Sequence, residues 1–180
     1  MPAAVYDGGM GQRRLLIVDD EESVRSALRN ALEADGYSIA EAADGATALT
    51  LLQSEPCEVV ISDHMMPGLS GIDFLKLVRV RHPSVVRIML TGDPNPETTL
   101  RSINESEVYR FIRKPWNNRD LRTIVYFAFE VARLQEENRQ LIELGRKQRD
   151  VRRKLQSDTD PANIESELLL LAESEADLLD

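Results

Sequence analysis

The sequence predicts an α/β fold: a doubly wound, five-stranded parallel sheet with helices on both faces and an extended C-terminal helix. Three observations carry this expectation. Short runs rich in Val, Ile and Leu alternate five times with segments whose apolar residues recur every three or four positions. The runs lack polar alternation, which fits strands covered on both faces. Several of them also end in a reactive group, as Leu15-Leu16-Ile17-Val18 does in Asp19-Asp20 and Val59-Val60-Ile61-Ser62 does in Asp63.

Residues 15–18 form the first strand. A helix follows over 21–34, with Val24, Ala27, Leu28, Ala31 and Leu32 on one stripe and Gly36 as its stop. Residues 37–40 make a short second strand. Asp44 caps a second helix that runs through residue 53, with Ala48, Leu49 and Leu52 inward. The third strand covers 58–62. A third helix over 70–81 is buried through Ile72, Leu75 and Val78, and Pro83 ends it. Residues 87–90 form the fourth strand, 97–104 a short fourth helix and 108–113 the fifth strand. Asn117 or Asn118 opens the fifth helix. Right-handed crossovers then give strand order 2-1-3-4-5, the flavodoxin-like arrangement, which sets strands one and three side by side.

No proline interrupts the chain between Pro115 and Pro161, so the fifth helix continues past the end of the domain. Ile124, Phe127, Val131, Leu134, Asn138 and Leu141 alternate spacings of three and four, a coiled-coil seam with a polar Asn in its middle. Gly145 breaks the seam, and Leu144, Gln148, Val151 and Leu155 resume it one position out of phase, as a stammer would. Glu143–Lys147 and Asp150–Lys154 are well-oriented ion pairs one turn apart. The other reading is an amphipathic helix folded back on its own domain. The expected organisation is a flexible leader over 1–12, a domain over 13–130, a helical extension over 131–156 and an acidic tail over 157–180. The tail is either a short amphipathic helix or disordered until bound.

Composition narrows the function classes. The net charge of −9 argues against wholesale nucleic-acid binding. The basic run 146–154 is a partner patch or the solvated face of a coil, and residues 157–180 hold eight acids and no base. The single Cys57 excludes an intrachain disulfide and points to a reducing compartment, the cytoplasm. No apolar stretch is long enough to span a membrane, and residues 1–12 lack the build of a signal peptide.

In open α/β sheets, ligands bind at the C-terminal edge of the strands. There this sequence gathers Asp19, Asp20 and Asp63, the hydroxyl of Thr91 and the ammonium of Lys114. Three carboxylates, a hydroxyl and an ammonium suit a divalent cation and a phosphoryl group. Taken singly, each has an ordinary explanation. Asp19 or Asp20 caps a helix, Thr91-Gly92 turns the chain, and Lys114-Pro115 is a solvated loop. His64 and His82 read as surface loop residues.

The acid pair, Asp63 with Met66-Pro67 and Gly71, Thr91 and Lys114-Pro115 together resemble the receiver domain of two-component response regulators. The resemblance covers residues 13 to about 130. It implies that Asp63 takes a phosphoryl group from the phosphohistidine of a sensor histidine kinase. It implies a Mg²⁺ site at Asp19, Asp20, Asp63 and the backbone carbonyl of Met65, with Asp20 and Asp63 direct ligands and Asp19 direct or through water. Lys114 would pair with phosphoryl oxygen, and Thr91 would donate a hydrogen bond to it. Phe111 matches the aromatic switch position, where many members have Tyr, so here the switch works by packing alone. Tyr109 is the nearby alternative.

Met65 and Asp93 occupy positions that tune phosphoryl lifetime in the family, and slow self-dephosphorylation is expected. The fourth helix, with Thr98 and Thr99, is the least secure element. Output would pass through helix four, strand five and helix five into the helical extension, toward a protein partner or a homodimer through residues 124–155. Apart from phosphorylation from a donor and its reversal, no enzymatic activity is implied. The rival readings are the N-terminal part of a larger regulator, a scaffold without phosphorylation, and a haloacid-dehalogenase-like phosphohydrolase. The last places a second Asp two residues after the nucleophile, where this chain has Met65.

Overall fold

A computed structural model describes residues 13–92 and 108–157, with side chains through residue 150. The leader over 1–12, Asp93, the expected fourth helix and the tail beyond residue 157 lie outside the described residues, as do the side chains of Val151, Lys154 and Leu155. In chain order the elements are β1 (Arg14–Val18), α1 (Glu22–Leu32), a 3-10 turn (Glu33–Asp35), β2 (Ser38–Ala42), α2 (Gly45–Ser54), β3 (Val59–Asp63), α3 (Gly71–Arg81), β4 (Val86–Thr91), β5 (Arg110–Arg113) and a long helix (Asn118–Ser157). The sheet is parallel throughout, in the order β2-β1-β3-β4-β5.

Register explains why distant acids meet. Val18 pairs with Ser62, so one further step brings Asp19 level with Asp63. Asp63 pairs with Leu90, and Thr91 with Arg113, so Thr91 and Lys114 each lie one step past a paired position. β3 and β4 are buried at every position, as central strands of a two-sided sheet must be.

Two apolar layers hold the sheet. On one face Leu15, Ile17, Val59, Ile61, Ile88 and Ile112 pack with Leu28 and Leu32 of α1 and with Leu121, Val125 and Phe129 of the long helix. On the other, Leu16, Val18, Val60 and Met89 pack with Ala48 and Leu52 of α2 and with Phe74, Leu75 and Val78 of α3. Burying each Leu or Phe contributes about 1.5–3 kcal/mol.

The starts of α2, α3 and the long helix are capped. Asp44 accepts from the Thr47 N–H at 2.8 Å, Ser70 from the Asp73 N–H at 3.2 Å and Asn117 from the Arg119 N–H at 2.8 Å. α1 stops earlier than its periodicity predicts, because its last residues tighten into the 3-10 turn that Gly36 ends at φ 78°. Ala27 lies at the margin of the stripe and is exposed. In α3, Ile72 is only partly buried, while Phe74 is wholly buried. β2 runs two residues past its predicted end, and β5 starts two residues later.

The long helix serves two surfaces. Leu121, Val125, Ala128 and Ala132 face the domain core, and Ile124 and Val131 pack partly against the same layer. Phe127, Leu134 and Leu141 are 53%, 51% and 66% exposed. Two of the six predicted seam positions, Ile124 and Val131, are therefore partly engaged by the domain itself, and the other four are open. Arg13 clamps the root of the helix: its guanidinium pairs with Glu130 at 2.8 Å and lies 5.6 Å from the ring centre of Phe129, on which Tyr37 stacks. Trp116, just before the helix, is partly buried against the same layer. The chain divides into two compact units after Glu136, inside this helix. Among the described residues of the second unit, Lys147 pairs with Glu143 at 3.2 Å.

Candidate functional site

Asp63 and Asp19 are buried acids at the ends of neighbouring strands, and Lys114 joins them. Its Nζ lies 2.5 Å from Asp63 Oδ1 and 2.9 Å from Asp19 Oδ2. The other oxygen of each acid is held by backbone. Asp63 Oδ2 accepts from the Met65 N–H at 2.6 Å, and Asp19 Oδ1 accepts from the Glu21 N–H at 2.9 Å. Asp19 therefore closes an Asx turn just before α1, whose own N-cap Glu21 has no side-chain cap bond, and also faces the site. Lys114 in turn is placed by its own N–H, which donates to the Thr91 carbonyl at 2.8 Å. The peptide bond between Lys114 and Pro115 is cis.

Partial burial alone would lower the pKa of Lys114 by disfavouring the charged ammonium. Hydrogen bonds and charges from Asp19 and Asp63 outweigh that, and the pKa rises above the ordinary lysine value. The ammonium is therefore a fixed positive charge at neutral pH.

The remaining predicted residues fall around this centre. Thr91 is buried at the end of β4, the strand next to Asp63. Asp20 is exposed at the rim, and its carboxylate makes no hydrogen bond or ion pair among the described residues. Met65 is exposed on the turn after β3. Phe111 stands opposite Met89 in β4 and packs, partly buried, in the layer under α2 and α3. Tyr109 packs on the opposite layer, with Arg110 over its ring, so of the two aromatics only Phe111 shares a layer with Met89.

His64 corrects an expectation. It is buried rather than on the surface, because the β3–β4 pairing continues one residue past Asp63: its N–H donates to the Leu90 carbonyl at 2.9 Å. Its Nδ1 has no hydrogen-bond partner among the described residues. His82 is partly buried at the C-cap of α3. Gly71 closes the turn, donating its N–H to the His64 carbonyl at 3.1 Å. A Cβ at Gly71 would overlap the carbonyl oxygen of Asp63.

Among the described residues no three His, Cys, Asp or Glu side chains stand together as a ready-made metal cage. Mg²⁺ does not require one. It keeps several waters and takes one or two carboxylates with substrate oxygens. Asp63, buried at the end of β3, and Asp20, exposed one residue past Asp19, offer oxygen donors of the kind this ion takes. Arg25, which bonds the backbone beside these acids, and Glu41, which pairs with Arg25, were not singled out by sequence. Their positions on an amphipathic helix and an edge strand look like ordinary solvated charges.

The model of the response regulator receiver domain matches residues 15–126. The hydrogenase transcriptional regulatory protein HoxA of Cupriavidus necator is 37% identical over 124 residues, 69% of this chain and 26% of that protein. The nitrogen assimilation regulatory protein NtrX of Azorhizobium caulinodans is 34% identical over 132 residues, 72% of this chain and 29% of that one. The chain thus spans about a quarter of the length of the curated relatives it matches. Among solved structures, the signal receiver domain of an HD domain-containing protein from Pseudomonas fluorescens superimposes with a TM-score of 0.66 at 33% identity, covering 68% of this chain and 98% of that domain.

Proposed function

The chain belongs to the response regulator receiver family, and from that premise we propose that Asp63 accepts a phosphoryl group from the phosphohistidine of a sensor histidine kinase. Receivers are signalling modules rather than enzymes of metabolism. The observation that carries the proposal is the position of Lys114, whose ammonium lies within ion-pair distance of both Asp63 and Asp19. The ammonium sets a fixed positive charge between the two acids, against the carboxylate that would attack.

In the step proposed, an Asp63 oxygen attacks phosphorus, the bond from phosphorus to the imidazole nitrogen breaks, and the freed imidazole leaves as the neutral base or takes a proton from water. Such transfers depend mainly on positioning and charge neutralisation. Lys114 then moves its pairing from carboxylate to phosphoryl oxygen, and Thr91 donates its hydroxyl to another. Asp20, Asp63 and the Met65 carbonyl would hold Mg²⁺, with Asp19 direct or through water. When bound, the ion neutralises charge on the transferring group. Phe111 follows Thr91 by repacking alone, since it has no phenolic hydroxyl. The setting is the cytoplasm, where the kinase domain and its ATP are found. Among the described residues no helix is long and apolar enough to cross a membrane.

Output is proposed to leave by the long helix. Phe127, Leu134 and Leu141 are spaced by seven and open, and Ile124, Val131 and Asn138 flank them. This favours a parallel homodimer through residues 124–155, in which Asn138 sets a two-stranded register. The relatives' greater length leaves room for a further output domain in the whole protein.

The test is mass spectrometry after incubation with acetyl phosphate and Mg²⁺. The wild type gains one phosphoryl group and Asp63→Asn gains none. Equal labelling of the two proteins rejects Asp63 as the acceptor.

A further inference from the structure

Asp20 presents a problem of aim. Its carboxylate makes no hydrogen bond or ion pair among the described residues, whereas Asp19 and Asp63 are each held at both oxygens. Only the backbone of the turn between β1 and α1 can point Asp20 toward the site. That turn is fastened from β2. The Asp19 N–H donates to the Ala42 carbonyl at 3.2 Å, and the Asp19 carbonyl accepts from Arg25 Nη1 at 2.7 Å. The second bond fixes the plane of the peptide that links Asp19 to Asp20, and with it the direction in which Asp20 leaves the chain.

Arg25 is itself held. Its Nε lies 3.6 Å from Glu41 Oε2, and the other oxygen of Glu41 lies 2.6 Å from Arg29 Nε. The Arg25 and Glu41 side chains are only 14% and 21% exposed, so the pair is sheltered from solvent and from screening. A planar guanidinium can span a carboxylate and a carbonyl at once, which an ammonium does less well.

We propose that Arg25, braced by Glu41, is a positioning residue that aims Asp20 at the phosphorylation site. The proposal rests on the reading of Asp20 as a metal-binding acid. Arg25 touches neither the phosphoryl group nor the ion; it acts through the Asp19–Asp20 peptide. Partners outside the direct ligands of a metal typically govern 10- to 100-fold in affinity.

The sign of the effect separates positioning from charge. Arg25 is a cation near a site for a cation, so by Coulomb's law alone its removal tightens Mg²⁺ binding. Loss of aim weakens it. Full-length protein without phosphoryl donor is titrated with Mg²⁺ by calorimetry, and folding is checked by circular dichroism. Arg25→Ala is expected to bind Mg²⁺ about tenfold more weakly. Its phosphorylation rate should return to near the wild-type rate at saturating Mg²⁺. Arg25→Lys recovers part of the affinity. Glu41→Gln weakens binding in the same direction, and the double variant is no worse than Arg25→Ala, because both act on one bond. Arg29→Ala removes the same charge without touching the turn and does not reproduce the loss of Arg25→Ala.

Unchanged or tighter binding in folded Arg25→Ala overturns the proposal. So does an equal loss in Arg29→Ala. Should Arg25→Ala not fold, Glu41→Gln decides the matter, and unchanged affinity there rejects it. A wild type that binds no Mg²⁺ rejects the metal reading itself, which distinguishes that failure from failure of the positioning role.

Discussion

Gly71 lies against the main-chain carbonyl of Asp63, close enough that a side chain at Gly71 would occupy the same space. The start of α3 therefore sets the height of the strand end that carries the acid. Gly71→Ala must push α3 away from β3 or tilt the Asp63 peptide. Overpacking of this kind costs about 1–3 kcal/mol. Urea unfolding should show that loss, and labelling by acetyl phosphate should slow even under conditions where the variant is fully folded. Wild-type rates in a folded Gly71→Ala would mean that the contact does not govern the site.

Lys114→Met leaves buried Asp19 and Asp63 without their shared cation. At pH 8 the expected cost is roughly 1–3 kcal/mol. The pH dependence has a definite sign. Lys114 has a raised pKa in the folded protein, so its contribution is fully present below the ordinary value of 10.5 and is lost as pH rises through the higher folded value. Stability curves of wild type and variant should converge only in that alkaline window. Convergence already at pH 8 would show the ion pair to be inert.

Met65 sits exposed beside Asp63 and cannot orient a water by hydrogen bonding. The phosphorylated wild type should accordingly decay slowly. Met65→Asn offers an amide to water and should shorten the half-life, measured as loss of phosphoryl mass after donor removal. A half-life no shorter than wild type would remove Met65 from control of hydrolysis.

Cys57 lies two residues before β3, and burial pushes its thiol up to about 12, with the charge of Glu58 adding to the effect. It should therefore react slowly with Ellman's reagent at pH 8 in the native protein and quickly in guanidinium. Comparable rates in both would contradict its sheltered position.

Leu134→Glu combined with Leu141→Glu should give a monomer that is still folded and still labelled on Asp63, while the wild type sediments as a dimer. Ultracentrifugation with and without donor decides it. A wild type that stays monomeric at tens of micromolar in both states leaves the helix as a docking arm for another protein.

The sheet order and the meeting of Asp19, Asp63 and Lys114 were legible because all five strands end at one edge. In a parallel sheet the residue after each apolar run must arrive there. The cap at Asp44 was legible for a similar local reason. Periodicity fared worse where a residue's surroundings decide. It ranked Ala27 with the core and passed over Phe74, because a stripe has margins that only packing resolves. His64 looked like part of a polar turn, but the turn begins one residue later than the chemistry of the side chains implies. The heptad pattern of the long helix was visible. That Ile124 and Val131 lean on the domain while Phe127 and Leu134 do not was not visible, since both sets are apolar. Arg25 and Glu41 left no signal, because what matters in them is a bond to backbone.

Trp116 is the protein's sole tryptophan, and it stands two residues beyond Lys114, partly buried against the apolar layer. One indole so placed makes the molecule its own optical gauge. A change in how Lys114 is paired is expected to reach this ring along a two-residue tether, and a shift in emission on adding Mg²⁺ or phosphoryl donor checks it. Filling of the site can then be followed in real time on unlabelled protein, at concentrations far below those that calorimetry needs.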